Sequence, residues 1–253
     1  IDLELWYVGA GIPAIHELPE HDVLLVAIGE ADDKRDLLID LQEILKTWHR
    51  PVLNLPIRIA ELGRDRVCHL LQPAAQLEMP TAARVSRQQM QALADGHIVL
   101  SDLITDTDFP IIARPLGSHA GQGLRKVTSV DAVADYLQAV PVEEFYIARF
   151  VDYRSADGLF RKYRIMLIDG QPFISHMGIS THWMIHYLNA GMTESAEKRV
   201  EEAHFMQNFE TGFAQRHAQA FAEIHQRTGL DYVGIDCGET SDGKLLIFEV
   251  DSD

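Results

Sequence analysis

The chain has 253 residues, 47% of them hydrophobic and 24% charged, which is ample apolar material for packed cores. Its formal charge of −16 argues against a nucleic-acid backbone as the main partner, because that partner calls for a basic surface. No window approaches the roughly 18 uninterrupted apolar residues of a membrane span, so no membrane partner is expected.

The opening Ile1-Asp2-Leu3-Glu4 lacks the basic region and apolar run of a secretory signal. The two cysteines, Cys68 and Cys237, are far apart and in no C-x-x-C pairing, so the expectation is two reduced thiols and a cytoplasmic location. Apolar runs predict strands over Leu3–Val8 and Asp22–Ile28. Leu37, Leu38, Leu41, Ile44, Leu45 and Trp48 recur at helical spacing, and Pro51-Val52-Leu53-Asn54 reads as the next strand. Strand, helix, strand implies a parallel crossover unit.

Further along, Ser86 with Gln89 and Thr128 with Asp131 have the spacing of helix-starting capping boxes. Between them, Phe109 to Pro115 predicts a strand that enters a glycine-rich loop and returns through Leu124 to Val127. Strands are expected over Phe145–Val151, Arg161–Ile168 and Pro172–Met177, with Asp169-Gly170 as a hairpin turn. One long helix follows, with Met206, Phe209, Phe213, His217, Phe221 and Ile224 on a stripe and Gly229 as its stop. Two last strands, Asp231–Cys237 and Leu245–Val250, flank Ser241-Asp242-Gly243.

Three groups of residues carry chemistry. Gly117-Ser118-His119-Ala120-Gly121-Gln122-Gly123 lets backbone amides approach a ligand closely, which suits phosphate oxygens. It lacks a P-loop ending and joins strand to strand, which leaves a glycine flap or a plain hairpin loop. Arg114, three residues earlier in an apolar strand, either faces solvent from an edge strand or meets an anion. Lys162 and Arg164 share one face of their strand, where they repel unless an anion bridges them or the face is solvated.

The third group is Gly234-Ile235-Asp236 with Phe248-Glu249-Val250-Asp251. Glu249 and Asp251 project from one strand face, and a short hairpin would set Asp236 beside them. Three acids so placed either form a solvated acidic face, against which Phe248 and Val250 beside them speak, or are neutralised by a cation, and hard oxygen donors suit Mg²⁺. The stretch His176 to Tyr187 matches no common zinc spacing and reads as a cleft wall, or His176 as a hydrogen-bonded core residue.

In this order, from about Asn54 onward, the pieces resemble the ATP-grasp superfamily, in its glutathione synthetase and glutamate-ligase-like branch. The resemblance implies an α/β fold with an N-terminal parallel βαβ-type domain (1–60), a central lobe with the flap (61–148) and a C-terminal lobe with the metal site (149–253). It implies that Arg66, or its neighbour Arg64, reaches the nucleotide, and that Arg114 stands where the family carries a phosphate-binding lysine. Ser118, Gly121, Gln122 and Gly123 fall in the flap. Glu144 to Val151 looks like the adenine hinge, with Arg149 where an acid normally meets the ribose and either Asp152 or no residue as its substitute. Arg164, with Lys162 beside it, is similar to the catalytic arginine strand. Asp236, Glu249 and Asp251 take the metal positions, with Asp251 where asparagine is usual.

The resemblance further implies an ATP- and Mg²⁺-dependent carboxylate-amine ligase working through an acyl phosphate, with one or two metal ions and Mn²⁺ as a substitute. Its partners would be a small-molecule or peptide carboxylate and a nucleophile, in a monomer or homo-oligomer. His182, Trp183, His186 and Asn189 are the candidate substrate contacts. A phosphotransferase of the same fold and a non-catalytic nucleotide-binding module are the alternatives.

Overall fold

The computed structural model describes residues 2–9, 20–118 and 121–252. Strands β1 (Leu24–Leu25) and β2 (Val52–Leu53) pair in parallel, with helix α1 (Arg35–Leu45) between them in the chain. Leu38, Leu41 and Leu45 repeat along α1 at helical spacing and are buried. The strand expected over Leu3–Val8 is absent. Leu3, Leu5 and Tyr7 are exposed, and no strand among the described residues pairs with them, so the extended run has no ladder to join.

Two short helices, α2 (Pro56–Ile59) and α3 (Arg64–Leu71), lead to β3 (Leu77–Glu78). The next segment contains β4 (Ala82–Ser86), α4 (Arg87–Ala94), β5 (Ile111–Pro115), β6 (Arg125–Val127), α5 (Val130–Ala139) and β7 (Glu144–Arg149). Its four strands form an antiparallel sheet in the order β4-β7-β5-β6. A separate apolar core of Val85, Met90, Ile111, Val133, Phe145 and Ile147 lies in this segment. Ser86 and Gln89 make the expected reciprocal cap on α4. At α5 the cap is Ser129, whose Oγ accepts from the Ala132 amide, and not Thr128 one residue earlier.

The remaining strands are β8 (Phe160–Ile168), β9 (Gln171–Ser180), β10 (Tyr232–Glu239) and β11 (Leu245–Asp251). With β3 they form a five-stranded sheet, β3-β11-β10-β8-β9, parallel only at β3-β11. Asp169 and Gly170 both have positive φ at the β8–β9 hairpin, the conformation that this dipeptide favours. Residues from the first strands and helices (Val26, Leu38, Ile59, Val67, Leu71, Leu77) join Ile165, Ile235 and Ile247 in one large core. Among the described residues, no helix is long and apolar enough to cross a membrane.

The long helix expected before β10 is two: α6 (Ala196–Gln207) and α7 (Ala218–Thr228), joined through a π turn at Glu210–Ala214. The Asn208 side chain donates back to the His204 carbonyl at 2.8 Å and competes with the helical ladder there. Phe209, Phe213, His217, Phe221 and Ile224 are still buried, whereas Met206 is 40% exposed and leaves the stripe. Gly229, with φ 61°, ends α7 as its spacing suggests.

Asn54 ties the first unit to the five-stranded sheet. It is fully buried with φ 55°, at the end of β2. Its side chain donates to the Tyr232 carbonyl at 2.7 Å and accepts from the Tyr232 amide at 2.9 Å, while its own amide donates to Asp231 Oδ2 at 2.9 Å. Asn54→Ala strands two buried backbone groups of Tyr232, so unfolding free energy should fall by about 2–4 kcal/mol. Denaturant titration of both proteins checks this; a loss below about 0.5 kcal/mol contradicts the staple.

Candidate active site

The four-stranded and five-stranded sheets line a common cleft of about 500 Å³. One wall carries Ile112, Arg114, Tyr146, Ala148 and Arg149 from β5 and β7. The other carries Lys162, Asp236, Leu246, Phe248, Glu249 and Asp251 from β8, β10 and β11. The loop Gly29–Lys34, the segment Trp183–His186, and Arg64, Phe150 and Tyr153 contribute the rest of the charged and aromatic lining.

Register explains why the acids meet. Asp236 on β10 stands opposite Glu249 on β11 and opposite Arg164 on β8, while Gly234 stands opposite Asp251. Tyr163, Ile165 and Leu167 turn into the core, so Lys162 and Arg164 must face the other way. The anion that holds those two cations together is Asp236: Lys162 Nζ lies 2.8 Å from Oδ2 and Arg164 Nη1 3.3 Å from Oδ1. Arg164 also makes a two-pronged contact to Asp251, at 2.6 and 2.7 Å. Burial opposes the Arg164 charge, but the Asp251 and Asp236 carboxylates outweigh it and raise its pKa.

Arg64 donates to the Phe248 carbonyl at 3.2 Å and is ion-paired with Glu249. Each of the three acids therefore has a cationic partner. Among the described residues, no three Asp, Glu, His or Cys side chains close on a point that a metal could occupy. Arg164 bridges Asp236 and Asp251, and Arg64 holds Glu249. The donor chemistry suits a hard cation, since three carboxylates line one cleft. The triad expected from sequence is thus present as residues but interleaved with arginine and lysine.

Arg114 differs from those cations. It donates only to Ser118, through Nε to Oγ at 3.3 Å and through Nη2 to the carbonyl, and no carboxylate among the described residues pairs with it. Burial first, then the neighbouring Arg64 charge, pushes its pKa down to about 10, so it is fully charged at neutral pH. Gly117, Ser118 and Gly121 of the following loop line the cleft; His119 and Ala120 lie outside the described residues. A Cβ on Gly121 would sit 3.2 Å from His186 Nε2 and 3.4 Å from Met184 Sδ, so the loop reaches the opposite lobe. Gly123 closes the hairpin instead, its carbonyl accepting from Tyr136 at 3.0 Å.

Several candidates stand away from the cleft. Gln122 and Gly123 do not line it. Arg66 turns to Glu30 at 2.8 Å and to the Ala60 carbonyl at 2.9 Å, leaving Arg64, two residues earlier, as the arginine in the cleft. Glu144 pairs with Arg84 at 2.7 Å at the exposed start of β7, and Asp152 pairs with Arg154 at 2.5 Å. Arg149 is in the cleft but paired with Glu78, so no acid replaces it through Asp152. Trp183 and His186 line the cleft; His182 and Asn189 are exposed, with Asn189 Oδ1 accepting from the His186 amide at 2.9 Å. Glu30, Asp32 and Lys34 are additions that only the fold reveals. They follow β1 at its carboxyl end, where ligands bind in open α/β sheets.

This arrangement of sheets around a cleft is the ATP-grasp fold. A RimK-domain ATP-grasp protein of Sphaerobacter thermophilus aligns with TM-score 0.52 and 16% identity, over 92% of this chain and 73% of that one. VanG D-Ala:D-Ser ligase of Enterococcus faecalis aligns with TM-score 0.53 and 15% identity, over 94% and 65%. A carboxyaminoimidazole ribonucleotide synthase of Aspergillus clavatus, complexed with ATP, aligns with TM-score 0.53 and 12% identity, over 85% and 50%. The chain thus spans between half and three quarters of the length of these proteins. No family model matches the sequence, and no curated protein matches it significantly.

Gly234 makes room for the Arg164–Asp251 pair, since a Cβ there would run into Arg164 Nη2 and Asp251 Oδ1. Both obstacles are side-chain ends that can move, so the cost is the pair and not the backbone. Gly234→Ala should lower unfolding free energy by about 1–3 kcal/mol, and by clearly less in an Arg164→Met background. Equal costs in both backgrounds, measured by denaturant unfolding, would show that the glycine serves something else.

Proposed function

We propose that this chain is an ATP-dependent ligase that binds ATP between the two sheets and activates a carboxylate. The γ-phosphoryl group passes to a carboxylate oxygen, leaving ADP. A nucleophile then attacks the acyl carbon, the C–O bond to phosphate breaks, and inorganic phosphate leaves. The observation that carries this reading is Arg114: a half-buried guanidinium at the root of a glycine loop, in the cleft, with no ion-paired carboxylate among the described residues. A partly desolvated cation so placed favours an anion beside it. The ATP-grasp likeness and the ATP held by the Aspergillus protein support a nucleotide phosphate as that anion.

The chain's own residues divide the work by position. Arg114, Ser118 and the Gly117 and Gly121 backbone face the phosphates. Met79, Tyr146, Leu246 and Phe248 supply the apolar surface that a planar base needs. Asp236 and Glu249, opposite each other across β10 and β11, would hold Mg²⁺, with Asp251 beside them. Such a metal supplies charge neutralisation on the phosphate oxygens. Trp183, Met184 and His186 meet the glycine loop across the cleft and exclude water from an acyl phosphate, which hydrolyses if wetted.

Arg114→Met removes a charge-assisted contact of about 1.5–3 kcal/mol and should weaken ATP binding by about 10- to 150-fold. Isothermal titration calorimetry measures that change. ADP release from ATP with pools of carboxylic acids, with hydroxylamine trapping the acyl phosphate as a hydroxamate, tests the chemistry. Absence of ATP binding by the wild type would overturn the proposal, and a stable phosphorylated product would replace ligation with phosphotransfer.

A further inference from the structure

The cleft holds its acids closed. Lys162 and Asp236 are only 13% and 14% exposed, so water does not separate them readily. Glu249 is ion-paired with Arg64, and both line the cleft. Asp251 is held by Arg164, which is not itself among the lining residues. Two kinds of counter-cation are therefore present: Lys162 and Arg64, which an entering ligand can touch, and Arg164, which stays behind its acids.

We propose that Lys162 and Arg64 form an exchangeable lock on the cation site, so that the nucleotide creates the affinity for metal. The inference rests on the ATP reading above. An entering polyphosphate offers Lys162 and Arg64 a denser negative charge than one carboxylate does. As they turn to it, Glu249 loses its partner and Asp236, its register partner on the adjacent strand, keeps only the 3.3 Å contact to Arg164. Two carboxylates on one sheet face, short of cationic partners, then attract a divalent cation more strongly. Arg164 keeps Asp251 neutralised throughout. Without nucleotide, a cation must displace an ammonium and a guanidinium already in place, which weakens its binding. Coupling of this kind is reciprocal: whatever the nucleotide adds to metal affinity, the metal adds to nucleotide affinity.

Free Mn²⁺, followed by its electron paramagnetic resonance signal, reports metal binding to the full chain without nucleotide. The wild type should bind it weakly. Lys162→Met and Arg64→Met should each bind it about tenfold more tightly or better, within the usual range of coupled sites. The same substitutions should weaken binding of a non-hydrolysable ATP analogue in EDTA, measured by calorimetry. One substitution moving two ligands in opposite directions is not the signature of general structural damage. Glu249 is 43% exposed, so Arg64→Met leaves its acid hydrated and should fold even if Lys162→Met does not; circular dichroism checks both. If Mn²⁺ affinity without nucleotide is unchanged or lower in the folded variants, the lock is wrong while the ATP reading stands. If the analogue binds the wild type neither in EDTA nor with Mn²⁺ present, the ATP reading fails, and the Mn²⁺ titrations still decide whether Lys162 and Arg64 guard a cation site.

Discussion

Carboxylates on the outer face of a sheet whose other face is core must be neutralised, and much of this molecule's organisation follows from that requirement. β8, β10 and β11 turn Ile165, Ile235 and Ile247 into the large core, while Lys162, Asp236, Glu249 and Asp251 face the cleft and Arg164 lies behind the acids it pairs with. Their antiparallel register then fixes who meets whom. Asp236 falls between Arg164 and Glu249, and Asp251 falls beside Gly234, the residue whose missing Cβ admits the Arg164 fork. A glycine and an arginine on different strands thus perform one task. Arg64 completes the row from α3, a helix that packs in the large core through Val67 and Leu71.

The same accounting clarifies Asp251. The resemblance to ATP-grasp enzymes placed it where asparagine is usual, an apparent excess of negative charge. Its two-pronged contact with Arg164 removes that excess locally. A carboxylate bound in this way to a guanidinium presents little net charge to the cleft, much as a neutral amide does. Arg164 accordingly reads as a positioning residue for Asp251 and Asp236, whereas Lys162, which the cleft exposes, is the cation placed to meet a ligand.

What could be read from the sequence depended on how local its cause was. Period-two alternation put Glu249 and Asp251 on one face and Lys162 and Arg164 on another, and both hold because a strand has no other geometry. The Asp169-Gly170 turn and the Ser86 cap are likewise decided within four residues. Contacts between distant segments were not legible. Nothing near Arg64 or Arg66 says which will find Glu249 and which Glu30, since only two residues separate them. Glu144 and Asp152 fell in the expected hinge, but nearby arginines, Arg84 across the sheet and Arg154 two residues on, claim them first. The long helix looks continuous in sequence because its aromatic stripe is continuous; the π turn at Glu210–Ala214 joins α6 to α7 and leaves the stripe buried from Phe209 onward.

The charge of −16 looks hostile to a polyphosphate, yet the cleft is not part of that excess. Its described lining has Lys34, Arg64, Arg114, Arg149 and Lys162 against Glu30, Asp32, Asp236, Glu249 and Asp251, an even balance. Charges elsewhere on the surface are screened beyond about 8 Å at physiological ionic strength, so the local balance governs entry. In a balanced cleft an anion does not fall into a ready-made positive well; it must take cations from acids that already hold them. Arg114 and Lys34 differ from the other cleft cations, because neither is ion-paired with a carboxylate among the described residues, and Arg114 stands at the root of the glycine loop. On the ATP reading, Arg114 would meet the phosphates first and exchange at Lys162 and Arg64 would follow, which orders the site from the glycine loop inward.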